Sequence, residues 1–161
     1  ATSLSQVLLQ QFAELKNQKK GMMGLFKQVV FFLVLGGLFE MLVFFLWSEQ
    51  LFVFVFGKEW VQAGSLTAIL VFSYAVKFIV SPLSGVFIVL EKLKWASLWQ
   101  SIYFMAIVAL YFLKVEWEVF FVVLVIIDVL AYSIYFAMIR WVIKSYQVSL
   151  SIKTRNNDNQ N

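Results

Sequence analysis

The chain of 161 residues contains no cysteine and no histidine. Their absence excludes disulfide bonds, zinc sites built from these ligands, thiol nucleophiles and imidazole bases. The sequence also has no glycine-rich phosphate loop, Walker lysine motif or paired-carboxylate signature. We therefore expect neither an enzyme nor a protein that depends on a metal or a cofactor.

Proline and charge are scarce as well. One proline and seven glycines leave little material for the turns of a β-rich fold, and the apolar runs are too long for barrel strands of about ten residues. Hydrophobic residues make up 62% of the chain and charged residues 14%, against about 45–50% and about 25% in soluble domains. This composition predicts an all-α integral membrane protein.

Four segments are long enough to cross a membrane. A hydrocarbon core about 30 Å thick needs about 20 apolar residues of helix, and residues 29–47, part of 61–90, 95–113 and 119–139 meet this requirement. Because the last two connections are short, consecutive spans are expected to be antiparallel neighbours in one bundle. The apolar part of SEQLFVFVF, after the first span, is interpreted as an interfacial turn of helix or as the outer end of that span.

The helix bundle is predicted to cover residues 1–149. Its first 15 residues, ATSLSQVLLQQFAEL, have a helical pattern but reach only about 20 Å at 1.5 Å per residue. They are interpreted as the cytoplasmic half of a further span, with an amphipathic helix on the membrane surface as the alternative. Residues 150–161 are polar and lack periodicity, which predicts a disordered cytoplasmic tail.

Basic residues indicate the orientation. Ten of the 13 lysines and arginines flank the spans on one side of the membrane, and only Lys58 and Lys114 flank them on the other. The positive-inside rule makes the ten-residue side, including the C-terminus, cytoplasmic. All six tryptophans lie at predicted span ends, where they are expected to form aromatic belts: Trp47, Trp60, Trp95, Trp99, Trp117 and Trp141.

Three ionisable residues lie inside predicted spans: Glu40, Lys77 and Asp128. A charge at mid-membrane costs roughly 2.5–3.5 kcal/mol on insertion scales, so such residues usually face a bundle interior, an ion partner or a substrate path. Lys77 is a candidate substrate contact, and Glu40 and Asp128 are candidate coupling or ion-pair residues. The structural alternative is that one of these carboxylates neutralises Lys77.

The span around Lys77 is the least lipid-like of the four. Its polar residues recur at steps of three and four and share one helix face, which predicts a polar lining. Helices C-terminal to it carry further polar residues that could join this lining, namely Gln100, Tyr103, Tyr111, Tyr132 and Tyr135. The candidate substrate-binding residues on the shared face are Ser73, Tyr74, Lys77, Ser81 and Ser84.

Pro82 is the candidate hinge of the same span. A proline removes one backbone donor and disturbs the hydrogen bond to the residue four positions before it, so we expect a bend or local unwinding between Phe78 and Pro82. Transporters use such breaks to expose polar backbone to a substrate. The alternative is a packing kink beside a lysine that snorkels toward the interface.

Residues 56–100 resemble the signature stretch of bacterial polysaccharide biosynthesis membrane proteins. These are the O-antigen and capsule flippases of the multidrug/oligosaccharidyl-lipid/polysaccharide exporter superfamily. In that family one span closes with FG-x-x-W-x-x-A, and the next carries a basic residue shortly before S-P-L-S and ends at E-K. The matching residues are Phe56, Gly57, Trp60, Ala63, Lys77, Ser81, Pro82, Leu83, Ser84, Glu91 and Lys92.

The resemblance implies a MATE-like fold of about twelve helices in two lobes, with this chain as part of the C-terminal lobe. It implies flipping of undecaprenyl-pyrophosphate-linked oligosaccharide across the bacterial inner membrane by alternating access, for lipopolysaccharide O-antigen, capsule and exopolysaccharide. Lys77 would then contact the anionic pyrophosphate or acidic sugars.

The partners implied are this lipid-linked oligosaccharide, membrane lipids, the N-terminal lobe of the same polypeptide and a polysaccharide polymerase, with no nucleic acid. Two other functions stay open: a cation-coupled multidrug antiporter of the same fold, and a non-transporting membrane scaffold.

Overall fold

The computed structural model describes residues 2–112 and 114–158, and the regular structure in these residues is entirely helical. Two 3-10 turns interrupt the α-helices, one at Lys58–Trp60 before the third helix and one at Ser81–Ser84 before the fourth. The α-helices are α1 (Thr2–Asn17), α2 (Met23–Phe56), α3 (Val61–Val80), α4 (Gly85–Val89), α5 (Leu93–Phe112) and α6 (Trp117–Asp158).

Four helical segments of the described chain are long and apolar enough to cross a membrane: Met23–Phe56, Lys58–Val89, Leu93–Phe112 and Trp117–Lys153. The predicted all-α membrane class and its four spans are therefore confirmed at this level. Leu113, the predicted end of the third span, lies outside the described residues.

The first span is longer than the sequence pattern predicted. The helix α2 continues through SEQLFVFVF to Phe56, so this segment is the outer end of the span rather than a separate interfacial turn. No glycine or proline occurs between Gly37 and Gly57. The helix ends at Gly57, whose φ of 100° favours glycine and whose N–H donates to the carbonyl of Val53.

The second span changes its helical geometry near Pro82. The α-helical pattern of α3 ends at Val80, and Ser81–Ser84 form a 3-10 turn before α4. This tightening of the helix overlaps the end of the interval from Phe78 to Pro82, in which we expected a bend or unwinding, and extends two residues past it. Proline is tolerated at the first positions of a helical segment because its missing N–H would have no partner there.

The last helix replaces the predicted disordered tail over most of its length. The helix α6 continues to Asp158 without a break, so residues 150–158 are helical in the structure; residues 159–161 lie outside the described chain. No glycine or proline occurs between Trp117 and Asp158 to end the helix. At 1.5 Å per residue, 42 residues are far more than a membrane crossing needs, so α6 extends beyond the membrane.

The packed core lies toward the basic end of the bundle. Large apolar side chains from four segments are fully buried there, and they fix α1, the start of α2, α4 and the second half of α6 against one another. The largest of these side chains are Phe12, Met22, Leu83, Phe87, Ile139 and Ile143.

The helix α1 runs alongside α4. The side chain of Leu9 packs on Gly85, and one to two turns later the Nζ of Lys16 donates to the carbonyl oxygen of Val89 at 2.7 Å. Contacts in this order indicate that the two helices point in the same direction. The helix α1 therefore lies beside α4 rather than across the bundle.

Glycines bring α2 and α3 into close contact. A Cβ atom added at Gly64 would lie 2.6 Å from the Cα of Glu49, and one added at Gly37 would lie 3.1 Å from Ile79. Small residues let membrane helices approach closely, because van der Waals packing, rather than exclusion of water, holds such helices together. These contacts hold the face of α3 that carries Gly64, Ala75 and Ile79 against α2.

Candidate functional site

Three polar residues meet at the middle of their spans. Tyr103 lies nine residues after Lys94, and Asp128 lies ten residues after Glu118. At 1.5 Å per residue, each is about 14–15 Å from the charged end of its span, which is half the thickness of a hydrocarbon core. Lys77, on α3, comes to the same depth because it contacts Asp128 directly.

The centre of the site is an ion pair between α3 and α6. The Nζ of Lys77 lies 2.6 Å from Oδ2 of Asp128. The side chain of Asp128 is 2% exposed, whereas that of Lys77 is 30% exposed. The carboxylate is therefore enclosed by protein, and the ammonium group lies at the edge of the site.

Two hydroxyl groups complete the surroundings of the carboxylate. The hydroxyl of Ser73 donates to Oδ2 of Asp128, and the hydroxyl of Tyr103 donates to Oδ1 at 2.5 Å. Both carboxylate oxygens thus accept hydrogen bonds, as a buried charge requires. In the described part of the chain, no buried side-chain nitrogen or oxygen lacks a hydrogen-bond partner.

Aromatic rings flank the ammonium group of Lys77. Its Nζ lies 5.7 Å from the ring centroid of Tyr132 and 6.0 Å from that of Tyr74. Ammonium groups at such distances are attracted to the electron-rich face of an aromatic ring. Tyr74 is mostly exposed, so the cation is covered from the protein side and open toward the outer face of α3.

A stack of aromatic side chains packs against Tyr103 next to the site. Trp99 stacks on Tyr103 with centroids 5.3 Å apart and on Tyr135 at 4.0 Å, and Tyr135 stacks in turn on Phe87. The indole N–H of Trp99 donates to the carbonyl of Ala131 at 3.0 Å. This layer fixes the ring of Tyr103 and thereby its hydroxyl against Asp128.

Trp99 corrects one of the sequence-based predictions. It was expected in an interfacial belt with the other five tryptophans, but it is buried inside the bundle. The other five remain about half exposed at the span ends. The spacing of four residues between Trp99 and Tyr103 places both on one helix face, and this was the signal that could have identified the buried aromatic layer.

The predicted polar face of α3 divides into two parts. Ser73 points inward and bonds to Asp128, so it positions the carboxylate instead of lining a surface. Tyr74 and Ser81 are exposed on either side of Lys77 along the helix. The hydroxyl of Ser84 donates to the carbonyl of Ser81 within the 3-10 turn.

The other membrane carboxylate, Glu40, lies apart from this site. Lys77 pairs with Asp128 and not with Glu40, and the side chain of Glu40 forms no hydrogen bond or ion pair with any described residue. The helix α2 turns Gly37 toward Ala75 and Ile79 of α3 and leaves Glu40 partly exposed. Gln100 and Tyr111, which share the sequence of α5 with Tyr103, are exposed as well.

The described residues contain no group of three or more carboxylate, cysteine or histidine side chains that could hold a metal ion. The site consists of the partly exposed side chain of Lys77 and its buried, hydrogen-bonded counter-ion Asp128. Such an arrangement can bind an anion if the ammonium group turns away from its internal partner, and it can equally fix three helices to one another.

Comparison of the chain with models of known protein families, with curated proteins and with solved structures finds no match in any of the three.

Proposed function

We propose that this chain is part of a membrane transporter that flips an anionic, undecaprenyl-pyrophosphate-linked oligosaccharide across the bacterial inner membrane by alternating access. The observation that carries the proposal is the partly exposed side chain of Lys77 at mid-membrane depth, beside the exposed residues Tyr74 and Ser81.

Lys77 acts in this proposal by changing its partner. Asp128 holds the ammonium group in the absence of substrate, and a diphosphate that enters from the exposed side of α3 replaces the carboxylate. Attraction between opposite charges is strong in a medium of low dielectric constant, so a diphosphate competes well with a single carboxylate. Ser73 and Tyr103 continue to donate hydrogen bonds to Asp128, which limits the cost of separating the pair.

The sequence pattern supports the same assignment. Lys77 stands shortly before Ser81-Pro82-Leu83-Ser84, as the basic residue does in the polysaccharide flippases that residues 56–100 resemble. The 3-10 turn at Ser81–Ser84 changes the helical geometry about one turn after Lys77 along the chain. In a transporter, such a turn is suited to absorb movement of α3 relative to α4.

The test is polysaccharide export in cells that express variants of the protein. Lys77→Ala is expected to abolish export, and Lys77→Arg to retain part of it, since the charge is kept while its geometry changes. The exposed lysine at the start of the second span provides the matched control: Lys58→Ala should export normally.

A double variant separates substrate binding from a structural role. Lys77→Met with Asp128→Asn removes both charges, so the bundle keeps no unpaired ion. If Lys77 binds substrate, the double variant inserts into the membrane at the normal level and exports nothing. Recovery of export in the double variant, or normal export by Lys77→Ala, would overturn the proposal and favour a scaffold.

The proposed direction of transport requires the basic end of the bundle to be cytoplasmic. Ten of 13 basic residues flank this end, so a reporter active only in the periplasm should be silent when fused after Asn161. The same reporter inserted between Lys114 and Glu118 should be active. The opposite pattern would reverse the orientation.

A further inference from the structure

An open apolar groove of about 690 Å³ runs between α5 and α6. One end lies at Trp95 and Trp141, whose ring centroids are 6.1 Å apart, and the other end lies at Ala106 and Ala131. Large aliphatic side chains line the groove between these ends, namely Leu98, Ile102, Ile134 and Met138.

The length of the groove matches one leaflet of a bilayer. Trp95 and Ala106 are eleven residues apart on α5, which corresponds to about 16 Å along the helix axis. Half of a hydrocarbon core measures about 15 Å. The groove therefore extends from the membrane interface at the basic end of the bundle to the middle of the membrane, as a single acyl chain does.

The mouth of the groove is basic. Lys92 and Lys94 line a cavity of about 590 Å³ that also includes Trp95, and Lys92 lines a second cavity of about 460 Å³ that includes Trp141. Both lysines are exposed, and neither has a carboxylate within ion-pair distance in the described chain. The nearby carboxylate of Glu91 is bound by Lys16 at 2.7 Å, so it does not neutralise them.

We propose that this groove binds an anionic phospholipid from the leaflet at the basic end of the bundle. One acyl chain lies between α5 and α6, and the phosphate group lies at Lys92 and Lys94. Basic pockets between membrane helices bind anionic lipid headgroups in this manner, and tryptophans at the interface suit the boundary between chain and headgroup. The groove does not include Lys77, although it shares Tyr103 with the site around Asp128.

Quenching of tryptophan fluorescence by brominated lipids tests this site directly. In a variant with Trp47, Trp60 and Trp117 each changed to Phe, the three remaining tryptophans all line the groove. The reconstituted protein is then titrated with phosphatidylglycerol or phosphatidylcholine brominated on the acyl chains. We expect phosphatidylglycerol to be preferred, by roughly fivefold for each lysine if each contributes about 1 kcal/mol.

Two variants locate the headgroup and the acyl chain separately. Lys92→Ala with Lys94→Ala should abolish the preference for phosphatidylglycerol while leaving quenching by phosphatidylcholine in place. Ala106→Phe fills the inner end of the groove and should weaken quenching by both lipids. The matched control, Lys153→Ala with Arg155→Ala, removes the same charge from exposed residues of α6 and should keep the preference.

Three results would overturn the proposal. Equal quenching by the two lipids in the unsubstituted groove would show that the site does not prefer an anionic headgroup. Loss of the preference in the control pair as well would indicate attraction to surface charge alone. Absence of quenching by either lipid would mean that another helix or a second copy of the chain covers the groove.

Discussion

The helices α3 and α5 have the same length, 20 residues each, but different forces hold them in the bundle. In the most apolar stretch of the span that contains α3, 33% of the residues are buried, against 11% in α5. Close backbone packing at Gly37 and Gly64 holds α3 against α2. Hydrogen bonds from Tyr103 and Trp99 hold α5 against α6.

The two helices are held in the bundle in different ways, although neither can rely on the hydrophobic effect. Lipid chains are as apolar as leucine, so helices within a membrane do not associate by the hydrophobic effect. The helix α3 gains contact area through small residues. It also pairs its charge with Asp128 of α6. The helix α5 relies on directional polar bonds and leaves an apolar groove beside them. Substitutions should therefore affect α3 through volume and charge, and α5 through single hydrogen bonds.

The largest expected effect comes from breaking the ion pair on α3. Lys77→Met leaves the buried carboxylate of Asp128 without a cation, which should lower the free energy of unfolding by about 3–5 kcal/mol. The double variant with Asp128→Asn should lie within about 1 kcal/mol of the original protein, since no unpaired charge remains. Denaturation of the purified variants in detergent measures both values. Equal losses in the single and double variants would contradict the role given to the pair.

Added volume at the contact between α2 and α3 should have the next largest effect. In Gly64→Val, the new Cβ would lie 2.6 Å from the Cα of Glu49, which cannot move without shifting α2. We expect a loss of about 3 kcal/mol, at the upper end of the usual range for overpacking. Gly24→Val is the matched control, because nothing lies within 4 Å of an added Cβ there. Similar losses in the two variants would refute the close contact.

A single hydrogen bond should decide how firmly α5 is held. Tyr103→Phe removes the donor to Oδ1 of Asp128 and should cost about 1.5 kcal/mol, since the acceptor is charged. Tyr111→Phe, at a 76% exposed position of the same helix, should cost nothing measurable. Thermal unfolding in detergent distinguishes the two. An unchanged midpoint in Tyr103→Phe would mean that this hydrogen bond does not help to hold α5 against α6.

The smallest effect is expected at the start of α5, and it depends on pH. The hydrogen bond and the charge of Lys16 lower the pKa of Glu91 below its usual value of 4.5. The contact therefore stabilises the folded state above pH 4.5 and is lost as the pH falls through the lowered pKa.

Glu91→Gln should remove this dependence on pH, whereas Glu116→Gln, at an exposed residue of the loop before α6, should retain it. Thermal unfolding followed from neutral pH to below the pKa of Glu91 is the measurement. The same acid sensitivity in both variants would assign the effect to other carboxylates.

The sequence predicted the components of the candidate site better than their arrangement. Lys77 and Asp128 were recognisable because a charge inside an apolar span is costly wherever the span packs. The choice of Asp128 over Glu40 as the partner was not recognisable, since it depends on which helix lies beside α3. Trp99 was assigned to the interface because its position near a span end resembles that of the other tryptophans, although it packs inside the bundle.

Hydropathy along the chain by itself determined that this protein is helical and that four of its segments are long and apolar enough to cross a membrane. Each of these properties follows from the free energy of transferring a single segment from water to hydrocarbon. It does not depend on which helices lie beside that segment. Only the tertiary structure decided that Ser73, Lys77, Tyr103 and Asp128 share one site and that a basic-mouthed groove lies between α5 and α6. Both depend on the rotation of each helix about its axis, which contacts between helices fix and the hydropathy of a single span does not.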